Sequence, residues 1–116
     1  MPKRPKPKPH YPLSDVKKLI RAGKVDINSN ATSRAWDDFN WKSADIKKCL
    51  LKLNDKYHSD DRKNNHFHKT EEHTRFPNTK MDYYKCKDIM EGMSVYMHFY
   101  IHPSSGKVIV SSFKEL

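Results

Sequence analysis

The stretch that most constrains the fold is the segment Val108-Ile-Val-Ser-Ser-Phe-Lys-Glu115. The β-branched run from Val108 to Val110 predicts a buried strand. It continues through two serines into Phe113-Lys114-Glu115, one residue before the last position, so we expect the chain to end inside its sheet. Such a strand holds Lys114 at a fixed place in the fold.

Three helical segments are predicted in the first half of the chain. Ser14 is a suitable N-cap for the first helix, and Gly23 ends it. The second covers residues 31–39, and the third is the clearest because apolar residues recur at i, i+3, i+4 and i+7. The residues expected to face inward on these helices are Val16, Leu19, Ile20, Ala35, Trp36, Phe39, Ile46, Cys49, Leu50 and Leu53.

Strand patterns follow the helices. Short strands are predicted at residues 24–27, 67–70 and 81–86, and a strong one at 94–101. Helices first and a meander of strands last are typical of an α+β domain. In the strong strand, alternation separates an aliphatic face from a second face formed by Tyr96, His98 and Tyr100.

The domain organisation is simple. Residues 10–116 are long enough for one domain with one modest core. Residues 1–9 alternate prolines with cations and predict an extended tail, either a flexible leader or an arm that contacts phosphates. The polar stretch 54–65 predicts a loop.

The charge balance narrows the class of partner. Lysine and arginine number 23 against 14 acidic residues, which gives a net charge of +9. Such an excess favours polyanions: nucleic acid, an acidic membrane surface or an acidic protein. No apolar run approaches the roughly 18 residues of a membrane span, and no signal core or basic amphipathic helix is present. We therefore expect a soluble, cytoplasmic protein with no membrane partner.

The Tyr96, His98 and Tyr100 face has two interpretations. Aromatic rings beside lysines form a common RNA-binding surface, because the rings stack on bases and the charges meet phosphates. The alternative is an ordinary exposed strand face.

The histidines and the absent motifs bear on cofactors. One interpretation of His66, His68 and nearby His73 is a metal site. No further ligand motif accompanies them, so the default interpretation is that they are polar histidines in loops. With only three glycines, a phosphate-binding or dinucleotide loop is hardly possible. We expect no metal and no small-molecule cofactor. RNA cleavage remains accessible to such a chain, because the 2′-hydroxyl of the substrate is itself the nucleophile.

Two end segments carry a resemblance to a known family. The run His10-Tyr-Pro-Leu-Ser-Asp-Val-Lys-Lys-Leu-Ile-Arg-Ala-Gly-Lys-Val25 resembles the opening of MqsR-family toxins, the mRNA interferases of bacterial toxin–antitoxin modules. Residues 41–53 are similar to the family's third helix, 92–99 to its penultimate strand and 108–115 to its closing strand. The resemblance covers residues 10–116 and implies a RelE-like α+β fold, with amino-terminal helices packed on a mostly antiparallel, curved sheet.

The resemblance also implies a site and partners. It assigns Lys69, Tyr96 and Lys114 as catalytic, in a metal-independent endoribonuclease that cleaves mRNA. It further implies a cognate antitoxin, a DNA-binding protein encoded nearby. Residues that we expect to support RNA binding are His68, Asp82, Tyr84, Lys85 and His98.

One position departs from the family pattern. Lys80-Met-Asp-Tyr-Tyr84 resembles Trp-Gln-Asp-Val-Tyr, so Met81 stands where the family has a glutamine. A thioether cannot donate a hydrogen bond to phosphate. Asp82, Tyr84 or Lys85 are candidates to compensate. The alternative function is therefore a non-catalytic module of the same fold that binds RNA or an antitoxin.

Overall fold

A computed structural model describes residues 8–54 and 66–116, which form an α+β fold of three helices and a five-stranded sheet. The predicted fold class is confirmed at this level. The elements in chain order are α1 (Leu13–Arg21), β1 (Val25–Ile27), α2 (Ser29–Phe39), α3 (Ser43–Leu50), β2 (Phe67–Glu72), β3 (Lys80–Met90), β4 (Met93–Ile101) and β5 (Val108–Glu115).

The sheet is mixed, with strand order β1-β5-β4-β3-β2. Strands β2 to β5 pair antiparallel with their neighbours, as the pattern of hairpins predicts, whereas β1 runs parallel to β5. Strand β1 reaches only Val108 to Val110 of its partner. Farther along that edge of β5, the Asp38 carboxylate of α2 accepts the backbone N–H of Glu115 at 2.9 Å.

The core lies between the helices and one face of the sheet. Strand β4 contributes Val95, Met97 and Phe99, each fully buried, and the helices cover them with residues such as Val16 and Ile46. The predicted alternation of β4 is confirmed. Its second face points away from this core.

Helix α1 begins and ends for clear local reasons. Pro12 precedes it with extended backbone and accepts the N–H of Val16 at 3.1 Å, so the predicted N-cap, Ser14, instead lies inside the first turn. The other end is as predicted. Gly23 adopts φ +76°, and the N–H of Lys24 bonds back to the carbonyl of Leu19 at 2.8 Å. That left-handed position suits glycine because it has no Cβ.

Two further predictions for the helices were wrong. Trp36 was expected to face inward, but its side chain is 51% exposed. It lies one position beyond Ala35, about 100° around the helix from the buried stripe of Ala31, Ala35 and Phe39. Helix α3 is also shorter than residues 41–53: Trp41 precedes it and stacks on Phe39, and Leu53 is buried just after it.

A β-bulge decides which way the end of β5 faces. His98 pairs with Ser112 while Phe99 pairs with Val110, so Ser111 is an extra residue. The extra residue shifts the alternation, which places Phe113 in the core. Its neighbours Ser112 and Lys114 therefore face the side of the sheet away from the helices.

Some expectations lie outside the described residues, namely most of the 54–65 loop and positions 1–7 of the tail. Within residues 8–54 and 66–116, no helix is both long and apolar enough to cross a membrane.

Candidate nucleic-acid interface

The side of the sheet away from the helices carries polar and aromatic side chains in two rows. We call this surface the open face. It is formed by Lys69, Glu71, Tyr83, Lys85, Tyr96, His98, Ser112 and Lys114.

The first row crosses four strands. Lys69 on β2 pairs with Tyr83 on β3, Tyr83 with His98 on β4, and His98 with Ser112 on β5. The rings of Tyr83 and His98 lie 4.5 Å apart between centroids, and Lys69 Nζ lies 5.0 Å from the Tyr83 centroid. The row therefore holds two rings in tilted contact, with a cation at one end.

The second row runs beside the first. Lys85, Tyr96 and Lys114 pair in register on β3, β4 and β5. Lys114 Nζ lies 5.3 Å from the centroid of the Tyr96 ring. Tyr96 is 6.3 Å from Tyr83, which joins the two rows. All three residues expected to be catalytic, which are distant in sequence, thus share one surface.

Glu71 is the acidic member of the open face. Its carboxylate accepts a hydrogen bond from Lys69 Nζ at 2.6 Å. This bond raises the pKa of Lys69 and lowers that of Glu71. Glu71 also accepts a hydrogen bond from Tyr83, whose pKa is raised by burial and by the charge of that carboxylate. Lys69 is therefore fully protonated at neutral pH, and its ammonium group is already paired with the Glu71 carboxylate.

His98 lies at the middle of the first row. Its Nδ1 is buried and has no hydrogen-bond partner among the described residues. Burial lowers the pKa of His98, and the positive charge of Lys114 lowers it further. The imidazole is consequently neutral near pH 7.

An aromatic cluster closes one end of the open face. The loop between β2 and β3 places His73 and Phe76 against Tyr100, with ring centroids 4.6 and 6.1 Å away, and Phe76 also contacts His102 at 5.2 Å. Tyr100 is buried as a result. The predicted Tyr96, His98 and Tyr100 face is thus divided, because Tyr100 belongs to this cluster.

The structure buries two of the residues expected to support RNA binding. Asp82 is fully buried, and its carboxylate accepts hydrogen bonds from the backbone N–H of His10 and Tyr11 and from Thr70 Oγ1, at 3.0, 2.9 and 2.6 Å. Tyr84 is fully buried and stacks on Phe99 at 5.3 Å. Both alternate with the open-face residues of β3 and point into the core, so neither side chain lies on the open face.

The other expected residues lie on or beside the open face. Lys85 and His98 belong to it. His68 is the extra residue at a bulge in β2 and is exposed. Burial lowers its pKa, and the positive charges of Lys85 and Lys69 lower it further. Met81 shares the side of β3 with Tyr83 but is buried.

Tyr83 and Glu71 are members of the open face that the sequence analysis missed. Both can be found once the alternation of β3 and β2 is continued: Tyr83 falls two residues from Lys85, and Glu71 two residues from Lys69. The Asp-Tyr-Tyr run by itself does not show which tyrosine faces outward; the spacing from Lys85 does.

A groove of about 410 Å³ adjoins the open face where α2 meets β5. Lys114 and Ser112 form one wall, and Asn30, Ser33 and Arg34 of α2 contribute to the other. Arg34 is held by Asp38 at 3.4 Å. The groove extends the polar surface beyond Lys114.

Two of the three histidines that could suggest a metal site, His66 and His73, use Nδ1 in local hydrogen bonds. His66 Nδ1 accepts the N–H of Asn54 at 3.1 Å, and His73 Nδ1 accepts the N–H of Arg75 at 2.9 Å. Within the part of the chain that the structure describes, no group of three or more histidine, cysteine or acidic side chains is arranged to hold a metal ion.

Comparisons with known proteins place the chain in no family. No model of a known protein family matches it, and no curated protein matches it either.

Proposed function

We propose that this protein is an endoribonuclease toxin of a RelE-like, MqsR-type fold that cleaves mRNA through the 2′-hydroxyl of the substrate. Support comes from the joining of Lys69, Tyr96 and Lys114 on one open face, although they come from three different strands. This juxtaposition is the observation that carries the proposal. The reaction requires positive charge, which the two lysines supply, and an aromatic ring with a phenol group, which Tyr96 supplies.

The spacing of the two lysines suits one phosphodiester. Three strand spacings of about 4.8 Å separate the backbones of Lys69 and Lys114. Each side chain lies over a ring on the next strand toward the middle of the face, Lys69 over Tyr83 and Lys114 over Tyr96, and the centroids of these two rings are 6.3 Å apart. A phosphate bound there would gain positive charge from both sides as it becomes a dianionic phosphorane.

The aromatic rings would contribute to RNA binding whatever the base sequence, because every base can stack on a ring. Tyr83 and Tyr96 are both partly exposed. A base that stacks on such a ring gains roughly 1–3 kcal/mol. We assign the Tyr96 hydroxyl as the group that protonates the departing 5′-oxygen, because Lys114 beside it stabilises the phenolate.

The test is cleavage of an mRNA transcript by the purified protein in the presence of a chelator. We expect fragments with 2′,3′-cyclic phosphate and 5′-hydroxyl ends, since the 2′-oxygen attacks the adjacent phosphate. A transcript with 2′-deoxyribose at the cleaved position is the matched control and should resist. Intact RNA after incubation with folded protein would contradict the proposal.

One observation favours a second function, a non-catalytic RNA-binding module. Met81 replaces the hydrogen-bonding glutamine of the resembling family and is buried. Binding of RNA without any cleavage would identify this function.

We propose in addition that a cognate antitoxin binds and silences the protein in the cytoplasm. A free ribonuclease of this kind would harm its host, so the isolated gene should slow growth. Co-expression with a neighbouring gene for a small DNA-binding protein should restore growth and yield a stable complex. Unimpaired growth with abundant folded protein would contradict the toxin assignment.

A further inference from the structure

We propose that His98 is the general base that takes the proton from the attacking 2′-hydroxyl. The inference rests on the proposed function and deepens it, because it divides the chemistry between a neutral base and fixed cations. No motif singled out this residue as the proton acceptor.

The position of His98 is central to the open face. It pairs in register with Tyr83 on one side and Ser112 on the other. Its ring centroid lies 4.5 Å from that of Tyr83 and 6.4 Å from that of Tyr96. Lys114 lies on the neighbouring strand, one row away. A ribose whose phosphate sits between the two lysines would therefore lie over this ring.

The two ring nitrogens of His98 have different surroundings. Nδ1 is buried without a hydrogen-bond partner among the described residues, while the side chain as a whole is partly exposed. Because Nδ1 is buried, we assign Nε2 as the nitrogen that meets the substrate. As a base, His98 carries its one proton on Nδ1 and its lone pair on Nε2.

Every charged group around His98 bears on its protonation. Burial lowers the pKa of His98 below the ordinary 6.5, Lys114 and His73 lower it further, and Glu71 opposes them. Tyr83, which faces it, carries no charge at pH 7, because burial and the charge of Glu71 raise its pKa. The lone pair is therefore already available at neutral pH.

The other groups of the open face are less suited to the role. Lys69 is protonated, and its bond to Glu71 raises its pKa. The same bond lowers the pKa of Glu71 and occupies its carboxylate, which makes it a weaker base. His98 is the remaining neutral nitrogen base near the centre of the face.

During cleavage, His98 accepts one proton and Tyr96 donates one. Nε2 of His98 accepts the proton of the 2′-hydroxyl while the 2′-oxygen forms its bond to phosphorus. The bond from phosphorus to the 5′-oxygen breaks, and that oxygen takes a proton from Tyr96. The imidazolium then releases its proton to water, and the phenolate of Tyr96 is reprotonated from water.

The first experiment measures single-turnover cleavage of one transcript by His98→Gln. A lost general base costs roughly 10²–10⁴-fold in rate. We expect a fall of that size with RNA affinity changed by less than about threefold, and recovery of activity in His98→Ala when imidazole is added. His10→Gln, at an exposed histidine off the open face, is the matched control and should cleave normally.

The second experiment uses only the wild-type protein, so it does not depend on a variant folding. Histidine titrations by NMR give the pKa of His98. Because the base must be unprotonated, the cleavage rate should fall as the pH drops through that same value, below 6.5. Full activity of His98→Gln, or a rate profile that does not follow the titration of His98, overturns the inference. Failure of the wild type to cleave RNA at all instead overturns the proposed function and this inference with it.

Discussion

At the residue scale, both open-face lysines lie over tyrosine rings: Lys69 over Tyr83 and Lys114 over Tyr96. A cation–π contact is a weak electrostatic attraction between the ammonium group and the face of the ring. It orients the ammonium group without occupying its N–H donors. The two lysines differ because Lys69 also binds Glu71, so a phosphate must compete with that carboxylate at one end of the face only.

Lys114 is predicted to act through its charge. Lys114→Ala should lower the single-turnover cleavage rate by roughly 10²–10³-fold, the usual effect of removing one group that stabilises a developing anion. Lys114→Arg should recover much of the loss, because guanidinium keeps the charge and pairs well with phosphate. The measurement is the cleavage rate of one transcript at saturating protein, with folding checked by circular dichroism.

Lys107→Ala is the matched control for Lys114. Lys107 is an exposed lysine in the turn before β5, paired only loosely with Asp26 at 3.8 Å. Its loss should leave the rate nearly unchanged. An arginine variant of Lys114 as inactive as the alanine variant would show that proton transfer or exact side-chain shape governs the position.

Asp82 is predicted to stabilise the fold rather than to bind RNA. Asp82→Asn keeps the shape but removes the charge and turns an amide N–H₂ toward donors. Hydrogen bonds to a charged group contribute about 1.5–3 kcal/mol each, so we expect a loss of roughly 2 kcal/mol or more in the free energy of unfolding, measured in urea. Asp26→Asn, at an exposed surface pair, should change it by less than about 0.5 kcal/mol. Equal stability of the two variants would contradict the anchoring role.

At the element scale, the loop between β2 and β3 depends on a neutral histidine. His73 Nδ1 accepts the N–H groups of Arg75 and Phe76 at 2.9 and 3.3 Å. Protonation of that nitrogen would replace an acceptor with a donor. The same loop delimits the open face, because Phe76 and His73 cover Tyr100.

The loop should therefore weaken in mild acid. Burial first, then Arg75, lowers the pKa of His73 below 6.5 in the folded protein. The unfolded chain thus binds the proton more readily, so the stabilisation is complete above about pH 6.5 and is lost as the pH falls through the lower folded pKa. Thermal unfolding of the wild type should show a fall in Tm between pH 7.5 and pH 5.

His73→Asn tests the cause of that acid sensitivity. An asparagine oxygen can accept the same backbone N–H groups but does not titrate. Its Tm at neutral pH should be lower, because the ring contacts to Tyr100 and Phe76 are lost. Its further fall at pH 5 should nevertheless be smaller than that of the wild type. An equal fall would assign the effect to other histidines, such as His66, whose pKa burial also lowers.

At the scale of the whole molecule, positive charge lies on both layers. The helix layer has a groove of about 620 Å³ between α1 and the segment after α3. Its walls include four cations, Lys17, Lys18, Arg21 and Lys52. Net charge alone therefore does not identify the side on which the proposed RNA binding takes place.

Two double variants of equal charge should identify that side. Replacing Lys85 and Lys114 with glutamine should flatten the dependence of log affinity on log salt, by roughly 0.7 per lost phosphate contact. Replacing Lys18 and Lys52 of the helix-layer groove removes the same charge and should leave the slope nearly unchanged. The readout is RNA affinity over a series of salt concentrations. A larger effect of the groove pair would move the binding surface to the helices.

The sequence by itself determined the features that depend on near neighbours. The alternation of β4 follows from the two-residue period of a strand, and the apolar stripe of Ile46, Cys49 and Leu50 from the 3.6-residue period of a helix. The end of α1 at Gly23 follows from glycine's access to positive φ. The α+β class follows from the order of these patterns. The catalytic roles of Lys69, Tyr96 and Lys114 were assigned by the resemblance alone.

Only the tertiary structure decided which side chains share the open face. The bulge at Ser111 turns Lys114 outward, and strand pairing places it beside Tyr96. The burial of Asp82 depends on the backbone of His10 and Tyr11, which are 72 and 71 residues away in the chain. Such choices depend on the register between distant strands and on which face the helices cover. Local residue patterns do not encode either, because both are settled by long-range packing.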